Sequence, residues 1–215
     1  VLRKALLVFV SAVVAATGAP AAVAVPHGSV VDPPTRNYGC WDRWGDKHLS
    51  PAMKSEDPMC WQAYRENANA MWDWNGLYRE DVGGKHREAI PDGQLCSGGR
   101  THDGRYAALD LVGQWRAAYR NNLFTMNAYD SARHGADYYH VYITEQGFDP
   151  LSESLGWDDL ELVKKVGSKP PAENTHFTVD AGERSGRHIV YTIWQASHMD
   201  QSYYLCSDVV FTGAK

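Results

Sequence analysis

The sequence predicts an antiparallel β-sandwich that follows a secretory leader and carries a long, partly helical loop region. Three observations support this. Beyond about residue 122, short runs rich in β-branched and aromatic residues recur between Gly, Asp and Ser turns, which is the pattern of half-buried strands. Residues 40–113 lack that alternation and are dense in Trp, Gly, Asn and Asp instead. Four cysteines follow the leader, an even number that suits two disulfides.

At the start of the chain, Arg3 and Lys4 form a short basic region, followed by an apolar run over residues 5–15 and small residues up to Ala24. This is the layout of a signal peptide over residues 1–26, and the apolar run is short for a membrane span. Small residues favour a cut after Ala24. A cut after Pro26 is poorer chemistry for a signal peptidase, but trimming Val25-Pro26 would expose His27. The expectation is a leader ending at residue 24 or 26 and one secreted, extracellular domain over 27–215. As a first residue, His27 would carry a free amine beside its imidazole. The whole chain has a formal charge of −5, and without Arg3 and Lys4 the remainder carries −7. That balance argues against nucleic acid and anionic membranes as partners.

The elements follow in order. "GSVVD" (28–32) reads as a short strand. Short helical pieces fit "EDPMCWQAYRENA" (56–68) and "NANAMWDWNG" (67–76), and "PDGQLCSGGRTHDGR" (91–105) is dense in turn residues. "LFTMNAYD" (123–130), "DYYHVYITE" (137–145), "HFTVD" (176–180), "GRHIVYTIW" (186–194) and "SYYLCSDVVF" (202–211) read as strands. "LGWDDLELVKKVG" (155–167) fits either a short helix or an edge strand. Three pairings of Cys40, Cys60, Cys96 and Cys206 are open; the favoured one joins Cys40 to Cys60 and Cys96 to Cys206. A zinc site is disfavoured because no C-x-x-C spacing occurs.

Among the nine histidines, His48, His86 and His102 lie in polar loop sequence and read as solvated. His140, His176 and His188 lie in strand patterns and read as packed or surface residues. His27 stands out by its position. His134 stands out by its setting, "SARHGADYY", a small-residue turn entering a strand. Of the eight tryptophans, Trp41, Trp44, Trp61, Trp72 and Trp74 crowd one stretch, where most are expected in the core.

Taken together and in order, "HGSVVDPPTRNYGCW", "DPMCWQA", "MWDWNGLYR", "PDGQLCSGGR", "ARHGADYYHVYIT", "VYTIWQASHMDQ" and "YYLCSDVVF" span nearly all of 27–215. This stretch resembles the bacterial lytic polysaccharide monooxygenases of auxiliary-activity family 10, formerly carbohydrate-binding module family 33. The resemblance implies an immunoglobulin/fibronectin III-like antiparallel β-sandwich holding one copper ion per chain in a histidine brace. His27 would supply its amine and a ring nitrogen, and His134 a second ring nitrogen. Tetragonal nitrogen coordination suits Cu(II), and an α-amine with a pKa of about 8 can lose its proton to a metal. Tyr203 would stand at the axial position where many members carry Phe, with Ala132 crowding the opposite side. Trp194 matches a buried tryptophan beside the metal, and Gln201 a polar residue facing bound oxygen. His198 falls where chitin-active relatives can carry an acid.

For substrate, Trp72 is the ring expected to face a flat carbohydrate surface, since exposed aromatic rings grip the apolar faces of sugars, and the resemblance points to Asn75 as a position that bears on which carbon is oxidised. The implied activity is oxidative cleavage of crystalline cellulose at C1 and/or C4, with chitin oxidation at C1 as a further expectation. Such an enzyme uses hydrogen peroxide or dioxygen and an external electron donor, acts as a monomer, and needs no paired carboxylates. The alternatives are a non-catalytic carbohydrate-binding protein and a zinc hydrolase. The zinc hydrolase would want a third protein ligand, and the spacing offers none.

Overall fold

The computed structural model describes residues 28–213, so the leader expected over residues 1–26 and His27 lie outside the described residues. A three-stranded sheet has the order β1 (Gly28–Asp32), β4 (Leu123–Asp130), β7 (Asn174–Asp180). A six-stranded sheet runs β2 (Tyr78–Glu80), β9 (Gln201–Phe211), β8 (Gly186–Ala196), β5 (Ala136–Thr144), β6 (Leu160–Val166). Its sixth strand, β3 (Ala118–Arg120), pairs parallel with the far end of β9. The other pairings are antiparallel.

At its centre, the large sheet is buried on both faces. Val141, Ile143, Val190, Trp194, Tyr203 and Leu205 face the small sheet, where they meet Val30, Phe124, Met126 and Ala128. On the opposite face, Ile189, Tyr191, Ile193, Tyr204 and Cys206 pack under the loop region against Trp44, Met59, Met71, Leu95 and Trp157. Residues 188–196 of β8 and 201–209 of β9 are therefore buried without a break. This is why "HIVYTIW" and "SYYLCSDVV" read as nearly continuous apolar runs instead of clean alternation.

The loop region contains α1 (Arg36–Trp44), α2 (Ala52–Glu56), α3 (Pro58–Glu66), α4 (Asn69–Trp72) and a single turn, α5 (His86–Ala89). Thr35 caps α1, its hydroxyl accepting from the Tyr38 N–H at 3.4 Å, and Pro58 opens α3 with the φ that a first turn needs. A disulfide joins Cys40 of α1 to Cys60 of α3, and another joins Cys96 to Cys206 of β9, the favoured pairing. A buried ion pair adds a third tie: Arg36 of α1 donates to Asp208 of β9 at 2.8 Å and also to the Leu109 carbonyl.

Residues 155–167 resolve into a 3-10 turn, Trp157–Asp159, followed by the edge strand β6. Two sequence expectations are corrected. Among the five clustered tryptophans only Trp44 is fully buried; Trp41 and Trp72 are 36% and 39% exposed, and Trp61 and Trp74 lie between. These helices are too short to cover large rings on both sides. His86 is not solvated. It is buried between two tyrosines, its Nδ1 paired with the Tyr204 hydroxyl at 2.9 Å and its Nε2 with that of Tyr138 at 2.8 Å. Burial, then the nearby His140, lowers its pKa to about 4.

The two disulfides close loops of very different length, 20 and 110 residues apart in sequence. In the chain-entropy view the longer loop restrains the unfolded chain more, about 5 against about 3 kcal/mol. Replacing Cys96 and Cys206 together by Ala should lower the urea midpoint further than replacing Cys40 and Cys60. Equal losses would show that this entropy difference does not set their worth.

Candidate metal centre

The site is built at the point where β1 begins and β4 ends. Gly28, the residue after His27, pairs with Asp130 at the end of β4, and its N–H donates to the Asn75 carbonyl at 2.8 Å. Beyond Asp130 the chain makes a tight turn through residues 131–135 before entering β5. Arg133 and Gly135 take positive φ in this turn. Gly135 is required by space as well as by φ, because a Cβ there would lie 2.7 Å from the Lys169 carbonyl.

Asp130 organises this turn. One carboxylate oxygen accepts the backbone N–H of His134 at 2.5 Å and that of Gly135 at 3.1 Å. The other lies 3.1 Å from Nδ1 of the His134 ring. An ionised carboxylate only accepts, so Nδ1 is the donor, and neutral His134 is left with an unprotonated Nε2. That nitrogen is the ring atom able to bind a metal. A carboxylate behind a ligand histidine in this way fixes both tautomer and orientation. The His134 side chain is 8% exposed, so little freedom remains to it.

Trp194 of β8 spans the site from beneath. Its Nε1 donates to the Gly135 carbonyl at 3.1 Å. The far edge of its indole runs against Gly28, where a Cβ would lie 2.2 Å from Cζ3. One buried ring thus touches the residue following each candidate ligand histidine, and Gly28 admits no side chain. Tyr203 stacks on Trp194 with ring centroids 4.4 Å apart and planes 18° apart. Its hydroxyl donates to Gln201 Oε1 at 3.3 Å, and Gln201 Nε2 reaches Glu80 at 3.5 Å. Tyr203 and Gln201 are fully buried. Burial, reinforced by Asp130, raises the Tyr203 phenol well above the ordinary tyrosine value, so it stays protonated in the working range.

The expected residues therefore divide. His134, Trp194, Tyr203 and Gln201 form one contiguous buried group, with Gly28 beside them. Ala132 lies exposed in the turn before His134. Asn75 contributes its backbone carbonyl to Gly28. Trp72 lies farther out, exposed and edge-on to His48 at 5.0 Å. Trp74 sits closer to Gly28, packed against Tyr38, Trp41 and Tyr129, and Tyr129 pairs with Ser29. Sequence reasoning did not single out Asp130; the signal available was an acid four residues before His134 at the end of a clear strand. His198 gained a definite place, its ring stacked on His134 at 3.9 Å, while Ser197 Oγ donates to the His134 carbonyl at 2.6 Å. Burial, then His134, lowers the His198 pKa.

The donor chemistry fits copper. His134 presents a single oriented imidazole nitrogen, and Gly28 starts its strand beside it under a tryptophan that excludes a side chain. Among the described residues no group of three or more His, Cys, Asp or Glu side chains could hold a metal. The other nitrogen donors implied by the resemblance belong to His27.

Replacing Asp130 with Asn preserves size but removes one acceptor and the charge behind Nδ1. Copper affinity, measured calorimetrically on protein beginning at His27, should fall by about 10- to 100-fold. Unchanged affinity would show that the carboxylate does not set the ligand's orientation.

Comparison with known proteins agrees with this geometry. The family model described as lytic polysaccharide mono-oxygenase, cellulose-degrading, matches residues 27–209. The solved structure of T. fusca AA10A is similar with a TM-score of 0.85 and 65% sequence identity, and the match covers 86% of this chain and 100% of that one. The chitin-binding protein CbpD of Pseudomonas aeruginosa is 31% identical over 199 residues, 87% of this chain and 48% of that protein. The lytic cellulose monooxygenase of Streptomyces ambofaciens is 31% identical over 199 residues, 87% of this chain and 54% of that protein. The chain thus spans about half the length of these curated relatives. With residues 27–209 matched and the turn around His134 built to present one ring nitrogen, the chain belongs to the lytic polysaccharide monooxygenase family.

Proposed function

We propose that this chain acts, after export and exposure of His27 as its first residue, as a copper-dependent monooxygenase that cleaves crystalline cellulose, with oxidation at C1 and/or C4. Chitin is the second substrate. The observation that carries this reading is the carboxylate of Asp130, which leaves Nε2 of His134 free beside the start of β1. A relative named as a lytic cellulose monooxygenase supports cellulose, and one named as a chitin-binding protein supports chitin. The exported form is expected to work as a monomer with an external electron donor. No helix among the described residues is long and apolar enough to cross a membrane.

In this reading His27 and His134 would hold copper, with Tyr203 and Ala132 as the residues expected beside it. When bound, copper supplies the redox chemistry that lets peroxide or dioxygen attack an unactivated sugar C–H. The protein's own residues prepare the place. Asp130 keeps the proton on Nδ1 of His134. Trp194 and Tyr203 form an apolar floor that excludes water from beneath. Gln201 Oε1 accepts from the Tyr203 hydroxyl and holds that ring in place. Trp74 and Trp72 offer rings to the apolar faces of sugars, and Asn75 fixes the loop edge next to Gly28.

The test is mass spectrometry of products from crystalline cellulose incubated with the copper-loaded protein, a reductant and peroxide. C1- or C4-oxidised oligosaccharides are expected, and His134→Ala should abolish them. Oxidised products undiminished in His134→Ala would overturn the assignment. Binding to cellulose without any oxidised product would mark a non-catalytic carbohydrate-binding protein.

A further inference from the structure

We propose that Asp200 is a positioning residue of the metal centre: it latches the hairpin between β8 and β9 to the turn after β2, and that hairpin in turn steadies the His134 ring. The inference rests on the copper reading above and adds to the candidate ligand a second support beside that of Asp130.

The hairpin consists of residues 197–200, between the end of β8 at Ala196 and the start of β9 at Gln201. All four residues are exposed, so core packing does not fix their place. Two of them nevertheless bear on His134. The His198 ring stacks on it at 3.9 Å with planes 22° apart, and Ser197 Oγ donates to its carbonyl at 2.6 Å. One stacked pair of rings does not repay the ordering of four exposed residues. Something else must hold the hairpin in register with the ligand.

That hold comes from Asp200. Its carboxylate Oδ2 accepts the Gly83 N–H at 2.7 Å, a short charge-assisted bond, and its backbone carbonyl accepts the Asp81 N–H at 3.0 Å. The turn that supplies both donors is left-handed, with φ of 58° at Asp81, 59° at Gly83 and 75° at Gly84. The far side of the latch is itself anchored. Ahead of the turn, Glu80 of β2 pairs with Gln201, and beyond it the buried His86 bonds Tyr204 and Tyr138. Within the hairpin, the Met199 carbonyl accepts from the Gln201 N–H at 2.8 Å and from Gln195 Nε2 at 3.4 Å. Ser202 Oγ donates to Gln195 Oε1 at 2.5 Å and keeps that amide in place. Among the described residues, the bonds of Asp200 tie the hairpin to the turn, and the bond of Ser197 ties it to His134.

The two supports do different things to the ring. Asp130 fixes which nitrogen carries the proton. His198, lying flat against the ring, limits its tilt about the Asp130 bond. A ring free to tilt would spread the direction of Nε2, and a ligand atom less well placed binds metal less tightly. Asp200 acts on Nε2 only through His198 and His134, so its effect should be smaller than that of Asp130.

The test compares Asp200→Ala with the conservative Asp200→Asn, on protein beginning at His27. Asn keeps an oxygen for the Gly83 N–H and Ala does not. Asp200 is exposed, so neither variant removes core packing. In the metal-free protein, proton NMR should show a contact between the His134 and His198 rings in the unaltered chain and in Asp200→Asn, but not in Asp200→Ala. With one equivalent of copper, the EPR signal of Asp200→Ala should broaden, and its copper affinity should fall by about two- to fivefold, less than the roughly tenfold minimum for a group bonded directly to a ligand. A ring contact and an EPR signal unchanged in Asp200→Ala would overturn the proposal, as would equal loss of the contact in both variants. A latch that responds as expected in a protein that forms no oxidised products would uphold the role of Asp200 while counting against the oxidative reading.

Discussion

The carboxylate of Asp130 is the constraint on which the site depends. It closes the turn after β4 by accepting two backbone N–H groups, holds the His134 ring, and lies opposite Gly28 in the β1–β4 ladder. Two separate requirements are met by one buried side chain. The turn needs acceptors for its inward N–H groups, and the imidazole needs a fixed tautomer. Remove the carboxylate and each fails for its own reason.

The rest of the fold can be understood as support for that corner. Trp194 reaches the corner from the large sheet, and its position is locked by Tyr139 on one side and Tyr203 on the other. The large sheet is itself clamped between the small sheet and the loop region, so its central strands have no solvent face. The helices of the loop region are short. The region is tied down by two disulfides and by Arg36 on Asp208, and this lets it present tryptophans at the surface without losing its place.

The strands were largely legible in the sequence because alternation and turn residues bound them. Residues 123–130 are β4 to the residue, and β1, β5, β7, β8 and β9 lie where their patterns predict. The three-residue strands β2 and β3 were not legible, since so short a run cannot show a period. Helix α1 was also missed, although Thr35 ahead of it was a usable cap signal. Burial around the tryptophans was misjudged because exposure depends on what covers a ring, and composition does not report that. His86 shows the same limit: its local sequence is polar, yet Tyr138 and Tyr204, distant in sequence, draw it inside. Of the site, His134, Trp194, Tyr203 and Gln201 were read as one group through their motifs. Asp130 was not, because one acid among 26 acidic residues carries no mark until the turn is folded.

The most direct measurement is the tautomer of the neutral His134 ring in the metal-free protein, read by nitrogen-15 NMR along a pH titration. Whenever the ring is neutral, its proton should sit on Nδ1, bonded to Asp130, with Nε2 bare. A ring protonated on Nε2, with Nδ1 bare, would contradict it.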